Sequence, residues 1–181
     1  IGILAILATI VILVLNPAEL FRQARDSQRI SDMSSINGAI SLYLATVTSV
    51  DLSAGAGFAC ATDWGLSSTA AATSKRVAAT NLLGERNNLR TPDGLGWVAV
   101  DLGLVPGGSP LTTLPVDPIN SADFNYQYTC AQTGGVDTRF EVNTEMESSR
   151  YSNGGTDDVE SDDGGNLVTG YEIGNDPGLD I

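Results

Sequence analysis

The sequence has 181 residues, enough for one compact domain with a sizeable core but short for two. Its formal net charge of -13 argues against a nucleic-acid-binding surface, because phosphate contacts need clustered Lys and Arg side chains. Histidine is absent, which removes the commonest general base and the commonest transition-metal ligand, so the composition disfavours most classes of enzyme.

The chain begins with an uncharged stretch, IGILAILATIVILVL (1–15). A helix of this composition is apolar on every side, which is typical of a membrane segment or of a fully buried helix. The stretch is shorter than the about 20 residues that a single spanning helix needs, so we interpret it as a core helix or as part of a longer hydrophobic run. A secretory signal peptide is disfavoured, because no basic segment precedes the stretch and no small-residue cleavage pattern closes it.

A second helical pattern follows at once. Asn16 and Pro17 predict a kink or an interruption, since proline lacks an amide hydrogen and clashes with the preceding turn. Apolar residues then recur at spacings of three and four, which predicts an amphipathic helix to about Ala45. The residues of this apolar stripe are Ile30, Met33, Ile36 or Asn37, Ile40, Leu44 and Val47. Beside the stripe, we expect Arg25 and Arg29 to pair with Asp32.

The middle of the chain, from Thr46 to Gly108, is rich in Ser, Thr, Ala and Gly and predicts a connecting region with short elements. Within it, 80–87 favours a short helix. Residues 97–100 have strand-like content, and the overlapping VDLGLVP (100–106) is equally consistent with a helical turn. The segment LPVDPINSADF (114–124) is typical of turns.

Two segments with alternating apolar residues follow, FNYQYTCA (124–131) and TRFEVNTEME (138–147). The intervening QTGGVD predicts that they form an antiparallel hairpin. The residues that share one face are Phe124, Tyr126, Tyr128 and Cys130 in the first strand and Phe140, Val142 and Thr144 in the second. Beyond Ser148 the chain is rich in Gly, Asp and Asn, which predicts a surface loop or a partly ordered strap.

The two cysteines, Cys60 and Cys130, are far apart and have no CxxC spacing, so a zinc site is disfavoured. If the protein is exported, the simplest outcome is one disulfide that closes a long loop. Two buried free thiols are the alternative.

Several segments together carry a resemblance to a known family. They are IGILA (1–5), ARDSQRISDM (24–33), LPVDP (114–118) and the pair FNYQY (124–128) and RFEVNTEME (139–147). With them the chain resembles the type IV pilin superfamily, including the type II secretion pseudopilins. The resemblance covers about 1–45 and 112–181 and leaves the middle uncovered. The family's hydrophobic segment starts earlier and contains a glutamate, so we expect that the extreme N-terminus is missing here and assign neither the processing site nor that glutamate.

The resemblance implies an α+β fold, in which a long N-terminal helix, hydrophobic in its first half and amphipathic in its second, packs on a small antiparallel sheet with a Gly/Asp-rich C-terminal loop. It divides the chain into a polymerisation and transmembrane helix (1–45) and a globular extracytoplasmic head (46–181). No enzymatic activity is expected, since the sequence has no GxSxG, P-loop or CxxC motif.

The implied function is a structural one. The protein would be a subunit of a bacterial type IV pilus, a helical homopolymer on the cell surface that serves adhesion, motility or DNA uptake. Its partners would be other copies of itself, the inner membrane before assembly and the pilus assembly machinery, with no direct readout of nucleic acid. The alternative is a pseudopilin of a type II secretion system, which forms a short periplasmic filament.

The same resemblance assigns the hydrophobic stretch to the filament core, because an apolar surface suits both lipid and neighbouring subunits. The core residues are Ile1, Gly2, Ile3, Leu4, Ile6, Leu7, Ile10, Val11, Leu13, Val14 and Leu15. Three arginines, Arg22, Arg25 and Arg29, would lie where the helix leaves the membrane, facing anionic lipid or carboxylates of neighbouring subunits. An ordinary solvated helix face is the alternative.

The acidic tail is the candidate metal site. Its carboxylates are those of Asp157, Asp158, Glu160, Asp162 and Asp163. Calcium prefers six to eight oxygen ligands in adaptable geometry, and major pseudopilins carry a calcium ion in the C-terminal loop, so the resemblance implies calcium as a cofactor here. The spacing matches no EF-hand, and a solvated acidic loop is the alternative. Asp176 and Asp180 offer further ligands, although Asp-Pro-Gly is also common in turns.

Overall fold

The computed structural model describes residues 2–4, 6–7, 16–54, 57–60, 62–68, 89–133 and 136–181. Residues 2–4 and 6–7 are helical. The elements that follow are the helix α1 (Pro17–Thr46), strand β1 (Gly65–Leu66), the short 3-10 helix η1 (Leu102–Leu104), and strands β2 (Gln127–Thr133), β3 (Val136–Thr144) and β4 (Tyr171–Gly174). The strands form one antiparallel sheet in the order β1-β2-β3-β4. At this level the predicted α+β class, a long helix with an antiparallel sheet, is confirmed.

The start of α1 lies at the position where the sequence predicts a kink or an interruption. Asn16 has a φ of 39°, in the left-handed region that asparagine tolerates better than most residues, so its backbone is not part of a right-handed helix. Pro17 is the first residue of α1, where its missing amide hydrogen leaves no helical hydrogen bond unmade. The helix ends at Thr46, and the amide of Val47 donates to the carbonyl of Tyr43 at 2.9 Å.

One face of α1 packs against the sheet. Met33, Ile36 and Ile40, which the sequence assigned to the apolar stripe, are completely buried. The sequence missed Tyr43, also completely buried, whose hydroxyl donates to the carbonyl of Asp51 and accepts from its amide. The stripe continues toward the start of α1 as charged residues that are just as buried, and these are described with the candidate site.

The hairpin of β2 and β3 supplies the other half of the core. Register pairs Tyr128 with Val142 and Cys130 with Phe140, and all four side chains are completely buried. Cys130 forms a disulfide with Cys60, so the predicted disulfide is confirmed. The opposite face of these strands carries polar residues that are also buried, among them Thr129.

The segment 97–100, which has strand-like content, is not a strand. Its residues are completely buried, but their backbone groups hydrogen-bond to separate segments instead of to one strand. The amide of Trp97 donates to the carbonyl of Leu89, and the carbonyl of Ala99 accepts from the amide of Ala54. The helical-turn alternative for 100–106 is correct in part, since η1 lies within it. The helix predicted at 80–87 lies outside the described residues.

The tail contains a strand that the sequence did not predict. Its strand β4 pairs with β3, with Ile173 opposite Val142. At the other edge of the sheet the two-residue β1 approaches the carbonyl of Trp97 so closely that a Cβ on Gly65 would lie 1.8 Å from that oxygen. Glycine is therefore required at position 65.

Candidate functional site

The described residues of the hydrophobic stretch are exposed to solvent. We call residues 2–4 and 6–7 the aliphatic segment. The exposed fractions of its large side chains are 76% for Ile3, 71% for Leu4, 62% for Ile6 and 53% for Leu7. The six other residues assigned to the filament core, Ile1, Ile10, Val11, Leu13, Val14 and Leu15, lie outside the described residues.

Exposed apolar side chains continue onto the first turn of α1. Leu20 is about half exposed and Phe21 is two-thirds exposed. Exposed large apolar residues close together in the chain are typical of surfaces that bind a partner or a membrane. Within the part of the chain that the structure describes, no helix is both long and apolar enough to cross a membrane.

The charged residues near the start of α1 form a second feature, which we call the arginine network. It consists of Arg25, Asp26, Arg29, Asp117 and Glu147. Arg29 is completely buried at its centre. Its Nε donates to Asp117 at 2.6 Å, one terminal nitrogen donates to Asp26 at 2.7 Å, and the other donates to Asp117 at 3.0 Å and to Glu147 at 2.7 Å.

The other members close the network around Arg29. Arg25 makes hydrogen bonds through Nε and a terminal nitrogen to the carboxylate of Glu147. Asp26 accepts from the backbone amides of Glu147 and Ser148, at 2.9 and 2.8 Å. Asp117 accepts from the amides of Ile119 and Asn120 and so holds the turn that follows LPVDP. The network therefore joins α1 to two segments that are more than 80 residues distant in sequence.

Ionisation of the network follows from these contacts. Burial alone would raise the pKa of Glu147, but the hydrogen bonds from Arg25 and Arg29 outweigh it and hold the pKa below its ordinary value. Burial alone would lower the pKa of Arg29, and its hydrogen bonds to Asp117 and Glu147 raise it instead. Glu147 and Arg29 are therefore both charged at neutral pH.

These contacts correct two expectations. Arg25 and Arg29 do not pair with Asp32, because the head of the same chain supplies closer carboxylates. Asp32 instead accepts from Gln28 and from the hydroxyl of Tyr126, both at 2.7 Å. Arg29 is also not available to lipid or to a neighbouring subunit, since it is completely buried. Arg22, by contrast, is half exposed and lies 3.6 Å from Glu19.

The acidic tail residues are not gathered at one point. Asp157 pairs with Arg150. Asp158 accepts hydrogen bonds from three backbone amides and from the hydroxyl of Ser161. Glu160 accepts from two backbone amides, and Asp163 accepts from two others. The hydrogen bonds from Ser161 and neighbouring amides lower the pKa of Asp158 to about 2. Among the described residues, no group of three or more Cys, Asp or Glu side chains is placed to hold a metal ion.

The two further acidic residues also have structural partners. Asp176 pairs with Arg139 at 2.7 Å, and its other oxygen accepts from the amide of Asp180. This arrangement agrees with the turn interpretation of the segment. Calcium binding at the tail stays a prediction.

The sequence analysis missed the partners of the arginine network. Asp26, Asp117 and Glu147 lie inside the quoted segments ARDSQRISDM, LPVDP and RFEVNTEME, but nothing local marks them as partners. The available signal was the position of Arg29, which falls four residues before Met33 on the buried stripe of α1.

Comparisons with protein-family models, with curated proteins and with solved structures found no match to this chain.

Proposed function

We propose that this protein is a structural subunit of a helical filament of the type IV pilus kind, which polymerises through the aliphatic segment and the residues that follow it. The observation that carries the proposal is the exposure of consecutive Ile and Leu side chains before a long helix whose later turns are buried in the head. Each such side chain contributes about 1.5–3 kcal/mol when it leaves water, so several together drive association strongly.

The arginine network supports the same function. A filament subunit transmits load between its helix and its head, and this connection must hold when the helix is pulled. Charged hydrogen bonds from α1 to Asp117 and Glu147 fix the head on the helix at its first turns, beside the exposed apolar residues. The disulfide further ties β2 to the connecting region, which suits a protein outside the cytoplasm.

The experiment is a filament assay in cells that express the chain with the substitution Ile6→Asp. A charge at this position makes burial among neighbouring helices costly, so we expect sheared filaments to disappear while the head stays folded. The matched control is Leu104→Asp, because Leu104 is a similarly exposed aliphatic residue of η1, on the head, and its variant should still form filaments.

The outcomes separate the alternatives. Intact filaments of the Ile6→Asp variant would contradict the proposal. Filaments of the unsubstituted chain that stay within the periplasm and never reach the sheared fraction would favour the secretion pseudopilin over the surface pilus.

A further inference from the structure

Asn16 and Pro17 join the uncharged stretch to α1, and the proposed function gives neither residue a role. Their peptide bond is the last one before the helix, since Pro17 is the first residue of α1. Asn16 is exposed, and its φ of 39° and ψ of 74° place its backbone in the left-handed region. The chemistry of an asparagine in front of a proline therefore decides how durably the two parts of the chain are connected.

The proline closes the usual reaction of an asparagine side chain. In that reaction, the backbone nitrogen of the next residue attacks the carbonyl carbon of the side chain and releases ammonia. The nitrogen of Pro17 carries no hydrogen and cannot act as this nucleophile. The intramolecular reaction that remains runs in the opposite sense, with Nδ2 of Asn16 attacking the backbone carbonyl carbon of the same residue.

The side-chain amide of Asn16 is available for this attack. Asparagine is among the residues that most often cap a helix, but here the side chain makes no capping hydrogen bond to α1. A capping bond would fix the side chain over the first amides of the helix. Without it, Nδ2 can rotate toward the carbonyl carbon, and the side chain is open to solvent, which carries protons to and from the reacting atoms.

The carbonyl group under attack is activated by the helix. Its oxygen accepts from the amide of Glu19 at 3.0 Å and from the amide of Leu20 at 3.3 Å. Both donors belong to the positive end of the dipole of α1, a helix of 30 residues. Two backbone amides aimed at a carbonyl oxygen stabilise the negative charge that develops there when a nucleophile adds to the carbon.

We propose that the peptide bond between Asn16 and Pro17 cleaves itself. A bond forms from Nδ2 to the carbonyl carbon of Asn16, and the bond from that carbon to the nitrogen of Pro17 breaks. One hydrogen of Nδ2 passes through solvent to the nitrogen of Pro17, and no water is consumed. The products are a chain 1–16 that ends in a cyclic imide and a chain 17–181 that begins with a secondary amine.

This reaction goes beyond the proposed function and does not depend on it, because it needs a single chain and no filament. It separates the aliphatic segment from α1. The freed chain keeps the arginine network and all the buried residues of the described structure, which begin at Asp26. Cleavage therefore yields an intact head that lacks the residues proposed for association.

Mass spectrometry of the full 181-residue chain, purified in detergent and incubated at mildly alkaline pH with protease inhibitors, tests the proposal. We expect a fragment that begins at Pro17. The fragment 1–16 should at early times be lighter by one water molecule than a product of hydrolysis, because it ends in the imide. Asn16→Gly removes the nucleophile and tolerates the positive φ, so it should lose both fragments. Pro17→Ala restores the amide hydrogen, so deamidation of Asn16 should replace cleavage.

Asn120 is a matched control within the same chain. It is the other asparagine among the described residues with a positive φ, 50°. The residue that follows it, Ser121, has an amide hydrogen, which donates to the carbonyl of Phe124. We expect no cleavage after Asn120, and equal cleavage after Asn120 and Asn16 would contradict a role for the proline.

Three further results would overturn the proposal. A chain that stays intact through weeks of incubation would show that the bond is stable. Fragments that persist in Asn16→Gly, or a fragment 1–16 that carries an ordinary carboxylate from the earliest time, would assign the break to hydrolysis by another agent. Circular dichroism shows whether each variant is folded, and if Asn16→Gly is not, Pro17→Ala decides.

Discussion

Arg29 is the residue on which the attachment of α1 depends most. It is completely buried and makes charged hydrogen bonds to three carboxylates, those of Asp26, Asp117 and Glu147. Its guanidinium also lies 5.0 Å from the ring centre of Phe124. In a buried ion network of this kind, removing one member is strongly destabilising, because the remaining charges stay buried without compensation.

The first prediction compares two arginines of α1. Arg29→Met keeps the length of the side chain but leaves the buried carboxylates of Asp26 and Asp117 without their cation and Glu147 with Arg25 alone, so we expect it to lower the free energy of unfolding by about 3–5 kcal/mol. Arg22→Met is the matched control, because Arg22 is half exposed and pairs with Glu19 at the surface, and it should cost less than about 1 kcal/mol. Urea unfolding of both variants measures the difference. Equal effects of the two substitutions would show that the network contributes little.

The second prediction concerns acid. The folded pKa of Glu147 lies below its ordinary value of 4.5, so its ionised form stabilises the fold above pH 4.5, and this stabilisation is lost as the pH falls through the folded pKa. Glu147→Gln should therefore be less stable than the unsubstituted protein at pH 7, with the gap closing as the pH falls below 4.5. Unfolding free energies measured across this range give the gap. A gap that stays constant with pH would rule out this electrostatic role.

Among the elements, α1 shows how one periodic stripe serves two purposes. Its later turns bury Met33, Ile36 and Ile40 against the hairpin, and its earlier turns place Asp26 and Arg29 on the same side. The first turn instead leaves Leu20 and Phe21 exposed. Along its length, the helix therefore changes from solvent-exposed at its start to packed against the head in its later turns.

The third prediction concerns the disulfide, which joins residues 70 apart in sequence. A crosslink of this span restricts the unfolded chain and contributes about 4 kcal/mol in the chain-entropy account. We expect the double substitution Cys60→Ser and Cys130→Ser to lower the unfolding free energy by about this amount. Treating the unsubstituted protein with a reductant during urea unfolding provides the control and should give the same loss. An effect below about 1 kcal/mol would contradict the chain-entropy account for this protein.

Local pattern explains which elements the sequence predicted. The apolar stripe of α1 and the alternation of apolar residues in β2 and β3 are strong periodic signals, and the helix and the two strands are all present. Strand β4 was missed because Tyr171–Gly174 is short and lies in a Gly/Asp-rich tail, so only its pairing with β3 defines it. The segment 97–100 was misjudged because apolar content reports burial and not the hydrogen-bond partners.

Long-range contact explains what the sequence missed at the candidate site. The exposed aliphatic residues follow directly from composition. The burial of Arg29 does not, because its partner Asp117 is 88 residues away and an arginine on a helix is usually solvated.

At the scale of the whole molecule, the core and the aliphatic segment are separate. The buried residues of the described structure begin at Asp26, and none of residues 2–4 and 6–7 is buried. The head therefore draws its stability from α1, the hairpin and the tail, and the described residues of the aliphatic segment stay exposed, as the proposed association requires.

The fourth prediction follows from this separation. A chain that begins at Asn16 should fold with an unfolding free energy within about 0.5 kcal/mol of the full chain and should elute as a monomer, because it keeps every buried contact described above. Urea unfolding and size-exclusion chromatography measure the two quantities. A large loss of stability would show that the first residues belong to the core of the head, and self-association of the shortened chain would show that the head carries its own interface.

Electron cryomicroscopy of material sheared from cells that express the chain tests the central claim most directly. We predict thin filaments in which the aliphatic segment and the residues after it form a central bundle of helices, with the sheet and the acidic tail facing outward. A filament with the aliphatic segment on its outer surface, or a chain that stays monomeric in every cell fraction, would contradict the claim.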